Sequence, residues 1–439
     1  MRSDKSKETG YSADVTRKKA SDQADAPFAE PYVRRAGLRD IPQLYRLWQG
    51  CFGDSDSFTD YYFDTYFPEN EVWVVEKKGR ITAQLHENLY ELKAGIRRIP
   101  GVYIVGVSTD KSQRHQGQMS ALLARVFREQ REKKLPFLYL MPADEAIYLP
   151  SQFAYIYAQH VFETRAAAEE NEADPCGFRG CSSDIRVRPA SCDEDLTYAV
   201  DAAAKALADM DICTQRDPHY FYRLQLENRA DGGDLMIFEK DGRRIGYLSY
   251  ACEDKAEIRD FAAREEEAEK IWQLTLQYFS EKDMSILTFP SQEEALKRAA
   301  SRIGSELVQR DRPIIMGRLI DAGAFLELIG GSCRDSRQLQ LSLDIRDRWI
   351  PENDGIWLWT FGGGSSCAWY LGKRKGSFTS ASLSGVDMSV DAGALMQWLT
   401  GYRSLEELKE HGLLSWDGAS YENIKKAPIL NRIFINEII

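Results

Sequence analysis

The chain has 439 residues, enough for about three domains at roughly 150 residues each. Hydrophobic residues make up 43% and charged residues 28%, which excludes a mostly disordered chain and a single small binding module. The formal net charge of −11 argues against broad nucleic-acid binding, which needs clustered positive charge, and suits a cationic small partner.

No run of about 18 apolar residues occurs, so no membrane span is expected. The eight cysteines form no C-x-x-C pair and there are only five histidines, so no metal site is expected. The thiols read as reduced, as in a cytoplasmic protein. The N-terminus is charged and lacks an apolar stretch, which argues against a signal peptide and predicts a disordered tail over residues 1–29.

From Asp40-Ile41-Pro42 onward, Leu44, Leu47, Trp48 and Cys51 recur at helical spacing, with Asp40 as N-cap. A second, aromatic helix is expected over 58–67. Val72-Trp73-Val74-Val75, the turn at Lys78-Gly79 and Ile81 onward predict a hairpin. Further strands are expected over 85–92 and 102–107. A polar loop, 110–117, leads into a helix with Met119, Leu122, Leu123, Val126 and Phe127 on one face. A buried strand then covers 136–140. Residues 166–183 read as a linker.

A similar order then recurs. Ile185-Arg186-Val187-Arg188-Pro189 echoes Tyr32-Val33-Arg34-Arg35-Ala36, and helices and a hairpin turning at Asp241-Gly242 follow. A strand over 257–262, a helix over 265–279 and a strand over 286–289 complete a diverged second copy of the first domain. The remaining chain differs: Leu339, Leu341, Leu343 and Ile345 alternate as in a half-buried strand. Asp391 could cap one helix, and Ser404-Leu405-Glu406-Glu407 fits a capping box for another.

The strongest chemical signal is Val105-Gly106-Val107-Ser108-Thr109 followed by Arg114-His115-Gln116-Gly117-Gln118-Met119. A strand, a polar loop and an Arg-x-x-Gly turn entering a helix would aim free backbone N–H groups at one spot, as a pyrophosphate site requires. Arg34, Arg229 and Arg243 also begin Arg-x-x-Gly sequences, and only the 114–117 copy lies between a buried strand and a long amphipathic helix. The other reading of this turn is an ordinary helix cap.

Residues 102–160 resemble the acetyl-CoA-binding core of the GNAT acetyltransferases, and from about residue 30 onward the order of segments resembles the Eis (enhanced intracellular survival) group. The resemblance implies α/β and α+β architecture: a catalytic GNAT domain over 30–165, a degenerate GNAT domain over 184–313 and a sterol-carrier-protein-like α+β domain over 314–439. It implies that Val107, Ser108 and Thr109 hold the thioester arm of acetyl-CoA. Arg114, His115, Gln116, Gly117, Gln118, Met119 and Ser120 would hold the pyrophosphate, with Ala143 and Asp144 beside the cofactor. Met119 stands where the family has a small residue.

Tyr148, in Ala146-Ile147-Tyr148, resembles the family's acid that protonates the departing thiolate; the alternative is an aromatic core residue. Two more residues than the family has lie between Tyr148 and Phe153. The resemblance makes the chain's terminal carboxylate, at Ile439, the general base. Residues 428–439 are apolar enough to favour burial, whether for catalysis or only for packing. Glu437 and Asp144 are spare candidates for the base. In the second copy, Glu265, Glu266, Glu267 and Glu269 stand where a phosphate loop would be, and they would repel a pyrophosphate. The resemblance further implies amine acceptors such as aminoglycosides or polyamines, no metal, and a homo-hexamer. A non-catalytic CoA-binding scaffold and a lipid carrier are the alternatives from other classes.

Overall fold

The computed structural model describes residues 33–95, 97–165, 184–333, 335–373 and 385–437. The expected tail over 1–29, the linker over 166–183 and Ile439 lie outside the described residues.

The first copy opens with the strand Val33–Arg35, the helices Ile41–Phe52 and Asp56–Thr65, and the strand Glu71–Lys77. The chain turns at Lys78-Gly79 into the strand Arg80–Ala94, then Arg97–Thr109. The segments expected separately at 81 onward and 85–92 are thus one strand. No turn interrupts it because helices cover both of its faces: Ala83 and Leu85 pack with Leu122 and Val126, and His86 packs on Trp48 and Tyr62.

The helix Gln118–Glu132 buries Leu122, Leu123, Val126 and Phe127, as its spacing demands. The short strand Phe137–Leu140 and the long strand Ala154–Thr164 complete this copy.

The second copy repeats the order, with strands Arg186–Pro189, Asp234–Lys240, Arg243–Cys252 and Ala256–Ala263, the helix Glu265–Tyr278 and the strand Met284–Ile286. The strand expected over 286–289 ends at Ile286, before a turn that starts at Pro290. An ion-pair motif is duplicated with the fold. Arg34 grips Asp40 through two N–H groups at 2.7 and 2.9 Å and reaches Glu76. Arg188 grips Asp195 at 2.6 and 2.8 Å and reaches Glu239.

The two copies share one continuous sheet. Their last strands are exchanged: Val308–Leu319 lies between Phe137–Leu140 and Ala154–Thr164, while Ala154–Thr164 pairs with Met284–Ile286 of the second copy. Val308–Leu319 runs straight through position 313, so one strand links the second copy to the final domain.

That domain has a separate five-stranded sheet, in the order Ser365–Gly372, Gly355–Gly362, Leu339–Arg346, Met388–Asp391, Leu414–Trp416. Asp391 caps the helix Ala392–Leu399, and the Ser404 capping box starts Leu405–Glu410, both as expected. Gly362, Gly363 and Gly364 form only the turn between two strands.

At the junction, Arg318 and Asp347 are both fully buried and bonded at 2.5 Å. Asp347 also accepts N–H bonds from Trp349, Ile350 and the Asn353 side chain. Removing one partner strands a buried charge. We expect Asp347→Ala to cost about 3–5 kcal/mol and Asp347→Asn less, read from urea unfolding midpoints of the full chain.

Candidate active site

The cleft exists because two strands part. Arg97–Thr109 and Phe137–Leu140 run parallel but pair only at Tyr103 and Tyr139. Beyond that pair they diverge, and Ile104 to Thr109 face Met141, Pro142 and Ala143 across a cavity of about 1130 Å3.

A bulge sets the backbone on one wall. Gln84 pairs with Ser108 and His86 with Val105, so Leu85 alone opposes Gly106 and Val107. Gly106 has φ +61°, and a Cβ there would lie 2.3 Å from the Trp48 ring, so the position requires glycine. Ser108 is buried, and its hydroxyl has no hydrogen-bond partner.

The polar loop closes the cleft's end. Asp110 accepts from the Ser112 amide at 2.9 Å, and Arg114 donates to the Thr109 carbonyl at 3.3 Å. His115 and Gly117 both take positive φ, 60° and 73°, which turns the chain into the helix Gln118–Glu132. No side chain caps this helix, and the amides of residues 115–120 donate to no described residue. A row of free N–H groups at a 15-residue helix start attracts a phosphate.

Tyr148 stands opposite. Asp144 caps the short helix Glu145–Tyr148 by accepting from the Ala146 amide at 2.9 Å. The Tyr148 ring meets Phe153 edge-on at 5.6 Å and is only 8% exposed. Its hydroxyl has no partner among the described residues. Burial pushes its pKa up to about 12, so it stays a proton donor at neutral pH.

Of the residues singled out in the sequence, Val107, Ser108, Thr109, Arg114, His115, Gly117, Gln118, Met119, Ser120, Ala143 and Tyr148 line this cavity. Gln116 does not; its side chain accepts from Lys77 at 3.0 Å. Asp144 serves the helix cap instead. Gln118 lines the wall while its amide oxygen accepts from Thr82 at 2.7 Å.

Sequence reading missed part of the wall. Asp54 comes from the first copy, and Asp231, Glu253 and Arg259 from the second. Asp54 accepts from the Trp48 indole at 2.7 Å, and Asp231 binds Arg259 at 2.7 Å. Only the packing of the two copies brings these groups together, so no local motif announces them.

The apolar end of the chain is buried between the copies. Ile433–Phe434 pairs with Ile212–Thr214, which pairs in turn with Arg80–Ala94. Asn436 accepts from Arg216 at 2.7 Å and donates to the Arg259 carbonyl at 2.9 Å. Glu437 is 4% exposed and lines a small cavity with Tyr90, Glu227, Arg259 and Asp260. Burial raises its pKa, and Thr214 and Arg216 oppose that rise. Arg259 borders both this cavity and the main cleft.

The second copy lacks these features. Ala256–Ala263 and Met284–Ile286 stay paired over three positions, with no splay. The helix Glu265–Tyr278 follows its strand without a loop, and its Glu267 and Ala268 amides already donate to the Arg264 carbonyl. Among the described residues, no group of three or more His, Cys, Asp or Glu could hold a metal ion. No helix there is long and apolar enough to cross a membrane.

The pattern of the acetyltransferase (GNAT) domain matches residues 32–156, and that of the sterol carrier protein domain matches residues 323–437. No curated protein matches the sequence. Among solved structures, a probable N-acyltransferase from Enterococcus faecalis superposes with TM-score 0.72 at 15% identity, covering 93% of this chain and 99% of that one. A GCN5-related N-acetyltransferase from Anabaena variabilis gives 0.70 at 16%, covering 93% and 99%. Eis1 from Mycobacterium abscessus gives 0.61 at 14%, covering 93% and 100%. At these identities the likeness is one of fold, and it extends over both copies and the final domain. The two matched domains and this shared architecture identify the chain as a GNAT acetyltransferase with an Eis-like arrangement: an active-type GNAT domain, a degenerate one, and a sterol-carrier-type domain.

Proposed function

We propose that this chain transfers an acetyl group from acetyl-CoA to a primary amine of a polycationic small molecule, directly, in a ternary complex. The observation that carries the reading is the meeting of three groups in one cleft: the bulged strand end, the free amides of residues 115–120, and Tyr148. They fit a CoA thioester. The amides hold the pyrophosphate, and the orphaned Ser108 hydroxyl and the strand edge hold the arm.

Acetyl-CoA supplies the activated acetyl group. The amine attacks the thioester carbonyl, and the Val107 N–H stabilises the oxyanion as it forms. Tyr148 gives its proton to the departing thiolate, and the terminal carboxylate at Ile439 takes the proton lost by the amine. Glu437 is the alternative acceptor of that proton. Asp54, Asp231 and Glu253 support a cationic acceptor such as an aminoglycoside or a polyamine. The family resemblance adds a cytoplasmic homo-hexamer to the reading.

Thiol release from acetyl-CoA across a panel of amines tests this. Tyr148→Phe should lower kcat about 100-fold and leave the KM for acetyl-CoA nearly unchanged. Because its pKa is about 12, Tyr148 should add no alkaline limb to the kcat profile below about pH 11. A chain extended by a few residues past Ile439 should lose turnover while CoA still raises its melting temperature. Full activity in the extended chain would remove Ile439 from the mechanism.

A further inference from the structure

The segment that carries Tyr148 is held from outside its own domain. Four residues after Tyr148 comes Gln152, which is 3% exposed and has φ +59°, a conformation that favours glycine. Its side-chain amide is spent entirely on the final domain. The Nε2 group donates to the Asp391 carboxylate at 2.8 Å and to the Arg346 carbonyl at 3.2 Å. The Oε1 atom accepts from the Arg348 amide at 2.8 Å. One turn closer to the tyrosine, the Trp349 indole donates to the Pro150 carbonyl at 3.1 Å.

These bonds grip both the side chain and the backbone of residues 149–152. Tyr148 makes no polar contact of its own with any described residue, so nothing polar in the first domain fixes its hydroxyl. Phe153 backs its ring at 5.6 Å, and Phe127 behind Phe153 packs on Trp349 of the final domain at 5.8 Å. The two residues added between Tyr148 and Phe153, relative to the related family pattern, lie in the gripped turn.

We infer that Gln152 is a positioning residue. Through Asp391, Arg346 and Arg348, it makes the sterol-carrier-type domain a brace that sets Tyr148 against the cleft. This rests on the proposal that Tyr148 is the acid. In catalysis, small displacements of a positioned group carry large rate effects.

Two variants cut the brace from opposite sides. Gln152→Gly removes the amide and suits the positive φ, so the turn itself is not strained further. Asp391→Asn keeps an oxygen for its Gly393 cap and turns an amide donor toward Gln152. Each should lower kcat about tenfold, with the KM for acetyl-CoA unchanged. In a Tyr148→Phe background, neither should lower kcat further. Amide hydrogen exchange over residues 146–153 should speed up in both variants.

Wild-type kcat in both variants would overturn the inference. So would an undiminished tenfold loss in the Tyr148→Phe background, because the effect would then bypass the tyrosine. If the wild-type chain releases no thiol with any amine, the acetyltransferase reading of the cleft falls. Exchange then decides the brace alone, and unchanged rates over residues 146–153 would refute it.

Discussion

A parallel sheet that stops pairing must do something with its backbone. After the single pair of Tyr103 with Tyr139, the strands Arg97–Thr109 and Phe137–Leu140 part, and every functional feature of the first domain follows from that parting. The bulge at Gly106 and Val107 turns the exposed edge into the gap. The loop with positive φ at His115 and Gly117 turns a helix start toward the same gap. Unpaired polar backbone is costly when buried and useful when a ligand can satisfy it. The second copy shows the alternative outcome: its strands stay together, its helix amides are taken, and no cleft forms.

Duplication therefore preserved the frame and not the site. The Arg34–Asp40–Glu76 and Arg188–Asp195–Glu239 clusters are nearly superimposable in their bonding, since each ties a first strand to the following helix and hairpin. The second copy now contributes Asp231, Glu253 and Arg259 to the cleft of the first. An acceptor entering there meets carboxylates from both copies.

Much of this was legible in the sequence because the relevant signals are local. The strand, loop and helix from Val102 to Phe127 are contiguous, and their apolar spacing shows which face is buried. Tyr148 was legible through its neighbours in the chain. The duplication was legible because Asp241-Gly242 and Lys78-Gly79 mark matching hairpins. The rest depends on contacts between distant segments. Asp231 and Glu253 carry no motif, and their place in the wall follows from how the copies abut. The role of Gln152 is invisible until Asp391 and Arg346 stand beside it. The strand Val308–Leu319 was divided in the expected domain scheme because its first half is polar and exposed and its second half apolar and buried.

The exchange of that strand has a consequence for how the chain comes into being. Leu140 finds its neighbour at Met316, and Ala154 finds its own at Gly317, so the first copy cannot complete its sheet until the second has been synthesised. Loop closure over such a span must precede any reward from the contact, which slows the search. A nascent or truncated chain ending before Ile315 would leave two open strand edges beside the unfinished cleft. Such edges invite pairing with other molecules. The molecule is three domains by ancestry and one cooperative unit in biogenesis, committed to its native form only when the polypeptide is nearly finished.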